Sequence, residues 1–133
     1  LNGRMKWYLT FKSTVTYTTL KKKIIVLLEN KKKMKIYLSG KISGIENQAP
    51  ELFEKAEKEL QAKGFEVINP MKLNHQHDKS WHSYMKEDVK AMCDCDSIYM
   101  FSNWTDSKGA VIEHLIANYL GLTIQYQTKQ EVK

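Results

Sequence analysis

Short apolar runs alternate with amphipathic helical patterns through most of this chain, and this alternation limits the possible folds. The apolar runs cover residues 35–39, 65–68, 97–101 and 122–125. The helical patterns lie between Asn47, which can cap a helix, and Gly64, over 80–92, and over 108–119, where Gly121 supplies the stop. Such alternation with short loops predicts an α/β fold with three layers. We expect an open parallel sheet of four to five strands, in a Rossmann-like or flavodoxin-like order 2-1-3-4, with helices on both faces.

The first quarter of the chain differs in charge from the rest. Residues 1–33 contain nine basic and one acidic side chains, a net charge of +8, whereas residues 34–133 contain twelve and fourteen, a net charge of −2. We therefore expect a basic extension over 1–33 outside the native domain, a domain over 34–126 that begins at Met34, and a polar tail over 127–133. The alternative is that residues 1–33 form an edge strand or hairpin packed on the domain.

The composition also argues against several partners. The basic side chains are concentrated outside the patterned region, so a nucleic-acid surface is not expected. No apolar run reaches the roughly 20 residues that span a membrane. Cys93 and Cys95 are too close together for a stabilising disulfide, which favours a reducing, cytoplasmic setting.

The segment DSKGAVIE, residues 106–113, carries the first sign of a functional site. It links the third strand to the following helix, and the N-terminus of a helix attracts anions. Ser107, the backbone of Gly109 and the carboxylate of Glu113 would therefore meet at one crevice. Glu113 lies two turns inside the helix among apolar neighbours, where a carboxylate is not expected without a function.

A second polar loop follows the first strand. It contains Ser39, Gly40, Ser43 and Gly44, which permit a tight turn and a close backbone approach to a ligand. A plain turn explains these residues equally well. Ligands bind beyond the carboxyl ends of parallel strands where the strand order reverses, and the order 2-1-3-4 would place this loop beside the loop after Ser102.

Asp88 is the second misplaced carboxylate. Ser80 is predicted to cap a helix through Met92, with Trp81, Met85 and Val89 also facing inward. Asp88 lies on or beside this apolar stripe and therefore needs either a partner, such as a salt bridge, or a function.

His75 and His77 form an HxH pair in the polar loop before that helix. Such a pair can bind a metal, but no cysteine or carboxylate lies at a convincing spacing. We expect two exposed loop histidines and no metal site.

These motifs together resemble the nucleoside 2-deoxyribosyltransferase superfamily, in particular a small DUF4406-like branch from bacteria and phages. The matching pattern is IYLSGKISG, then NP, then Trp81 with Met85 and Asp88, then CDCDSIYMFSNW and DSKGAVIEHLIANYLG. The chain is also similar to 2′-deoxynucleoside 5′-phosphate N-hydrolases.

The resemblance implies a role for each site residue. Glu113 would attack C1′ of a 2′-deoxyribonucleoside, Asp88 would act on the base or position the nucleophile, and Tyr37 would orient Glu113. Ser107 resembles the hydrolases of 5′-monophosphates, since the transferases have aspartate there. Lys41 departs from the branch, which more often has proline. The substrate-binding set would be Ser39, Gly40, Ser43, Gly44, Ser107 and Gly109.

The chemistry agrees with these residue types, because one carboxylate can stabilise or trap an oxocarbenium-like centre while a second carboxyl group protonates the leaving base. The expected partners are a small-molecule nucleoside or nucleotide and further copies of the chain in a homodimer or larger homo-oligomer, without a cofactor. A non-catalytic nucleotide-binding or sensing module is the main alternative. A structural domain in which Glu113 pairs with Lys108 or Tyr37 is the other.

Overall fold

The structure is a computed structural model that describes residues 3–29 and 31–129, with side chains from residue 16 onward. The chain divides into two compact units, residues 1–32 and 33–133. The first unit contains helix α1, Gly3–Glu29. The second contains, in order, β1 (Lys35–Ser39), α2 (Ala49–Ala62), β2 (Glu66–Ile68), a 3-10 turn (Pro70–Lys72), α3 (Trp81–Cys93), β3 (Ser97–Met100), a 3-10 turn (Trp104–Asp106), α4 (Lys108–Leu120) and β4 (Thr123–Tyr126).

The four strands form one parallel sheet in the order β2-β1-β3-β4, which confirms the predicted fold. Tyr37, at the centre of β1, lies opposite Ile68 of β2 and Ile98 of β3. The carboxyl ends of all four strands therefore meet at one edge. The loops after β1 and β3 leave this edge side by side, as expected from the strand order.

Side chains of β1 alternate between the two faces of the sheet. Ile36 and Leu38 pack with Phe53 of α2 in one apolar cluster. Tyr37 packs on the other face with Met92 of α3 and residues of α4. Helices thus cover both faces, in three layers, and only the α3/α4 face leads to the two carboxylates predicted above.

Gly40 is explained by packing at the end of β1. A Cβ atom at this position would lie 2.7 Å from the Phe101 ring, which packs at a tilt against Phe53 with centroids 4.5 Å apart. Any side chain here would displace a core aromatic residue. The glycine therefore allows the ends of β1 and β3 to pack closely together.

Several local predictions are confirmed and two are wrong. Ser80 caps α3 by accepting a hydrogen bond from Ser83 N, and Gly121 closes α4 with a φ of 76°. Asn47 is not the cap of α2, because the N-cap is Gln48, whose side chain makes no capping bond. Trp81 does not face inward: it is 39% exposed, and the Lys108 ammonium lies 4.7 Å from its ring centroid.

Helix α1 contradicts the alternative of an edge strand or hairpin over residues 1–33. Its Thr-rich first half has modest helix propensity, but the difference from good helix formers is only a few tenths of a kcal/mol per residue. Its later apolar side chains, including Leu20, Ile24 and Leu27, are exposed. No helix in the described ranges is long and apolar enough to cross a membrane. Of the predicted polar tail, residues 130–133 lie outside the described residues.

Candidate active site

Glu113 lies inside α4 with only 6% of its surface exposed. Its Oε1 atom accepts a 2.8 Å hydrogen bond from the Ser39 hydroxyl, at the carboxyl end of β1. Its Oε2 atom is buried and has no hydrogen-bond partner among the described residues. One oxygen of this carboxylate is thus held in place while the other remains available to a ligand.

Asp88 supplies a second, largely buried carboxylate from α3. Its side chain is 15% exposed, and its Oδ1 atom is buried without a hydrogen-bond partner in the described part of the chain. The imidazole of His75 lies beside it, with Nε2 3.9 Å from Oδ1. The charge of Asp88 raises the pKa of both Glu113 and Tyr37, so the three groups interact electrostatically.

Burial dominates the acid–base properties of this cluster. It raises the pKa of Glu113 to about 7, against the opposing effect of the Tyr37 and Ser39 hydroxyls, while the charge of Asp88 raises it further. Burial also raises the pKa of Asp88 to about 6, with His75 lowering it and Glu87 raising it. The pKa of Tyr37 lies well above its usual value because the phenol is buried beside Glu113. Tyr37 is therefore a protonated phenol at neutral pH.

The start of α4 contributes Ser107 and Gly109. The Ser107 Oγ atom accepts a hydrogen bond from Ala110 N at 3.2 Å, which makes Ser107 the N-cap. The first intrahelical hydrogen bond runs from Val111 N to the Ser107 carbonyl. The backbone N–H groups of residues 108 and 109 come before it and therefore have no acceptor within the helix. A Cβ atom on Gly109 would lie 3.1 Å from Met85 Sδ, so this glycine allows the close approach of α3.

The loop after β1 divides into two parts. The Lys41 amide donates to Asn103 Oδ1 at 3.0 Å, which joins this loop to the loop after β3. Ser43 and Gly44 are exposed, and the Gly44 amide, in a turn with a φ of 87°, donates to Glu46 Oε1. The plain turn fits these two residues, whereas Ser39 directly contacts Glu113.

His75 and His77 are not exposed, which contradicts the sequence prediction. His75 is 12% exposed, lies beside Asp88, and packs edge-on against Tyr84 with ring centroids 4.7 Å apart. The sequence offered one signal for this contact: a loop bracketed by Pro70 and Ser80 must return to the start of the helix that carries Asp88. Within the described ranges, no three His, Cys, Asp or Glu side chains form a group that could hold a metal.

Comparison with known proteins agrees with this architecture. A search of curated proteins found no match. Among solved structures, the 2-deoxyribosyltransferase from the psychrotolerant bacterium Bacillus psychrosaccharolyticus matches with a TM-score of 0.56 and 22% sequence identity, over 74% of this chain and 77% of that one. This confirms the expected deoxyribosyltransferase-like fold. Residues 34–126 match the family described as "Domain of unknown function (DUF4406)", and the chain belongs to this family.

Proposed function

We propose that this domain cleaves the N-glycosidic bond of 2′-deoxyribonucleosides or their 5′-monophosphates, by hydrolysis or by transfer, with Glu113 as the nucleophile. The observation that carries the proposal is the pair of largely buried carboxylates, each with one buried oxygen that accepts no hydrogen bond from the described residues. Buried polar atoms are nearly always satisfied, so two such atoms on interacting side chains favour a ligand site.

In the proposed reaction, Glu113 Oε2 forms a bond to C1′ as the bond from C1′ to the base nitrogen breaks. The leaving base takes the electron pair and receives a proton from Asp88. Water or a second base then attacks C1′ and gives a proton to the ionised Asp88, while the ester bond to Glu113 breaks and Glu113 leaves as the carboxylate. A bound carboxylate divides one difficult displacement into two easier ones.

Two hydroxyl groups support Glu113 in this role. Ser39 fixes Oε1 by a 2.8 Å hydrogen bond, and Tyr37, a buried phenol with a raised pKa, interacts with the same carboxylate. Both remain neutral donors through the reaction, so they can orient the nucleophile without neutralising its charge. This arrangement is consistent with attack by a single oriented oxygen.

The start of α4 supports recognition of a 5′-phosphate. The Ser107 Oγ atom accepts a bond from Ala110 N, so its own O–H remains able to donate. The Gly109 amide lies in the first turn, where the helix dipole favours an anion. We place the substrate-binding function in these two residues and in Ser39 and Gly40, within residues 34–126.

The activity of the matching solved structure supports a nucleoside-type substrate. That protein is a 2-deoxyribosyltransferase characterised as a biocatalyst for the synthesis of nucleosides. A small-molecule nucleoside or nucleotide is therefore the substrate class that we propose here.

The test is to incubate the protein with the four deoxynucleosides and their 5′-monophosphates, with and without a free acceptor base. We expect base release or base exchange with at least one substrate. Glu113→Gln should lower the rate by on the order of 10³-fold or more, because it removes the attacking anion. Glu57→Gln is the matched control, since Glu57 is a buried carboxylate on α2, across the sheet.

Each result has a distinct meaning. Base release without an acceptor would identify a hydrolase, and exchange that requires an acceptor would identify a transferase. Equal rates for the wild-type protein and Glu113→Gln would contradict the assignment of the nucleophile. Saturable binding of a nucleotide without turnover would favour the non-catalytic module.

A further inference from the structure

The loop before α3 contains a chain of hydrogen bonds that fixes the protonation of two histidines. The Lys79 backbone N–H donates to His77 Nδ1 at 2.9 Å. A backbone N–H can only donate, so Nδ1 carries no proton and neutral His77 is protonated on Nε2. His77 Nε2 lies 3.2 Å from His75 Nδ1, so His77 donates and His75 accepts. Neutral His75 must therefore carry its proton on Nε2.

This assigned proton faces two oxygen atoms. His75 Nε2 is 3.2 Å from the Pro70 carbonyl and 3.9 Å from Asp88 Oδ1. The carbonyl is at hydrogen-bond distance and accepts the hydrogen bond in this state, while the Asp88 oxygen is buried and has no hydrogen-bond partner among the residues that the structure describes. A small rotation of the imidazole would transfer the same hydrogen bond from Pro70 to Asp88.

The loop is held firmly in this arrangement. Lys79 has a φ of 62°, a left-handed conformation that is unfavourable for a residue with a Cβ atom, and this residue supplies the N–H that meets His77. The Lys79 ammonium also donates to the His75 carbonyl. The Tyr84 ring packs edge-on against both imidazoles, with centroid distances of 4.7 Å and 4.5 Å. Backbone strain of this kind persists where surrounding contacts enforce it, often at functional sites.

We propose that His77 and His75 form a hydrogen-bond donor of fixed tautomer that positions Asp88 and stabilises its ionised form. This inference rests on the proposed function. When Asp88 gives its proton to the leaving base, the His75 Nε2–H turns from the Pro70 carbonyl to Asp88 Oδ1. His75 keeps its own proton throughout, and the water or base that attacks C1′ in the second step returns a proton to Asp88. His75 and His77 are thus positioning residues that act through Asp88.

The charges around Asp88 determine in which direction its pKa should change when His75 is replaced. Asp88 interacts with Glu113 of α4 and Tyr37 of β1, with Glu87 on its own helix, and with His75 on the loop. Among these groups, only His75 favours the ionised form of Asp88, and in its neutral state it can do so only by donating its Nε2–H. Removing the His75 donor should therefore raise that pKa, by about one unit.

The kinetic test compares His75→Phe with His75→Gln. Phenylalanine keeps an aromatic ring against Tyr84 but has no donor, whereas glutamine keeps an N–H donor near the position of Nε2. We expect His75→Phe to lower kcat about tenfold and to move the basic limb of kcat/KM to higher pH, since Asp88 acts in its protonated form. His75→Gln should restore both. Equal profiles for the two variants would overturn the proposal.

NMR spectroscopy tests the donor without any turnover. The ¹⁵N shifts of His75 should show a neutral ring protonated on Nε2, and His77→Phe should give a mixture of tautomers. The ¹³C titration of the Asp88 carboxyl should move to higher pH in His75→Phe. A proton on His75 Nδ1, or an unchanged Asp88 titration, would overturn the inference. If these results hold while no nucleoside is turned over, the donor unit stands and the proposed function fails.

Discussion

At the scale of single residues, the molecule is defined by two carboxyl groups that ionise near neutral pH. The pKa of Asp88 is raised to about 6 and that of Glu113 to about 7, in both cases mainly by burial. Because the two groups interact, the protons leave in two steps that belong to the pair. Between these steps the pair holds one proton. The proposed reaction uses the form of this state in which Asp88 keeps the proton and Glu113 is the anion, which is the less populated form because the pKa of Asp88 is the lower of the two.

A bell-shaped pH dependence follows. Below about pH 6 the pair holds both protons and lacks a nucleophile, and above about pH 7 it holds neither and lacks an acid. We expect kcat/KM to rise through the lower value and fall through the higher one, measured by base release from pH 4.5 to 9. Asp88→Asn should lose the basic limb. A flat profile in the wild-type protein would contradict acid–base action by this pair.

At the scale of elements, Ser107 at the start of α4 has a structural role and a proposed binding role. Its side chain caps the helix, and we propose that the same hydroxyl donates to a 5′-phosphate. Serine and aspartate are comparable N-caps, but only aspartate brings a negative charge. The two roles can therefore be separated by one substitution.

Ser107→Asp should keep the stability of the fold and change the choice of substrate. We expect kcat/KM for 5′-monophosphates to fall at least about tenfold relative to the parent nucleosides, because two anions would lie within a few ångströms. Ser107→Ala is the control: it loses the cap, at a cost of about 1 kcal/mol, without adding charge. An unchanged ratio in Ser107→Asp would show that residue 107 does not face the phosphate.

Elements were easier to predict from the sequence than their contacts. Within residues 34–126, period and capping residues located the strands and helices within one or two residues, since Ser80 and Gly121 act locally, whereas helix α1 was not predicted. The contact between Ser39 and Glu113 joins residues 74 positions apart, and it depends on the pairing of β1 with β3. The His75–Asp88 contact depends on the course of an irregular loop, which cannot be predicted from hydrophobic periodicity. Apolar periodicity also placed Trp81 inside, although Lys108 stabilises it at the surface.

At the scale of the whole molecule, the site opposes stability. An ionised carboxylate is costly to bury, and Glu113 has a pKa raised from 4.5 to about 7. The folded state binds this proton more tightly than the unfolded state does. The stabilising effect of the protonated group is thus complete below about pH 4.5 and is lost as the pH rises through about 7.

Glu113→Gln should therefore be more stable than the wild-type protein at pH 8, by up to about 3 kcal/mol, and nearly equal to it at pH 4. Urea unfolding at both pH values would measure this difference. Glu57→Gln should instead lose stability, since Glu57 pairs with Lys72 at 2.8 Å and accepts a hydrogen bond from Asn69. The same pH dependence in Glu113→Gln and the wild-type protein would contradict the assignment.

Because side chains alternate along β1, the candidate active site depends on the register of this strand. Tyr37 and Ser39 point towards Glu113, while Ile36 and Leu38 point towards α2. A one-residue shift of this strand would allow the same pattern of parallel backbone hydrogen bonds with new partners, yet it would exchange the two faces. The carboxylate would then face two aliphatic side chains in place of two hydroxyls. An insertion or deletion ahead of β1 that slides the strand would thus silence the site while leaving a sheet of the same order.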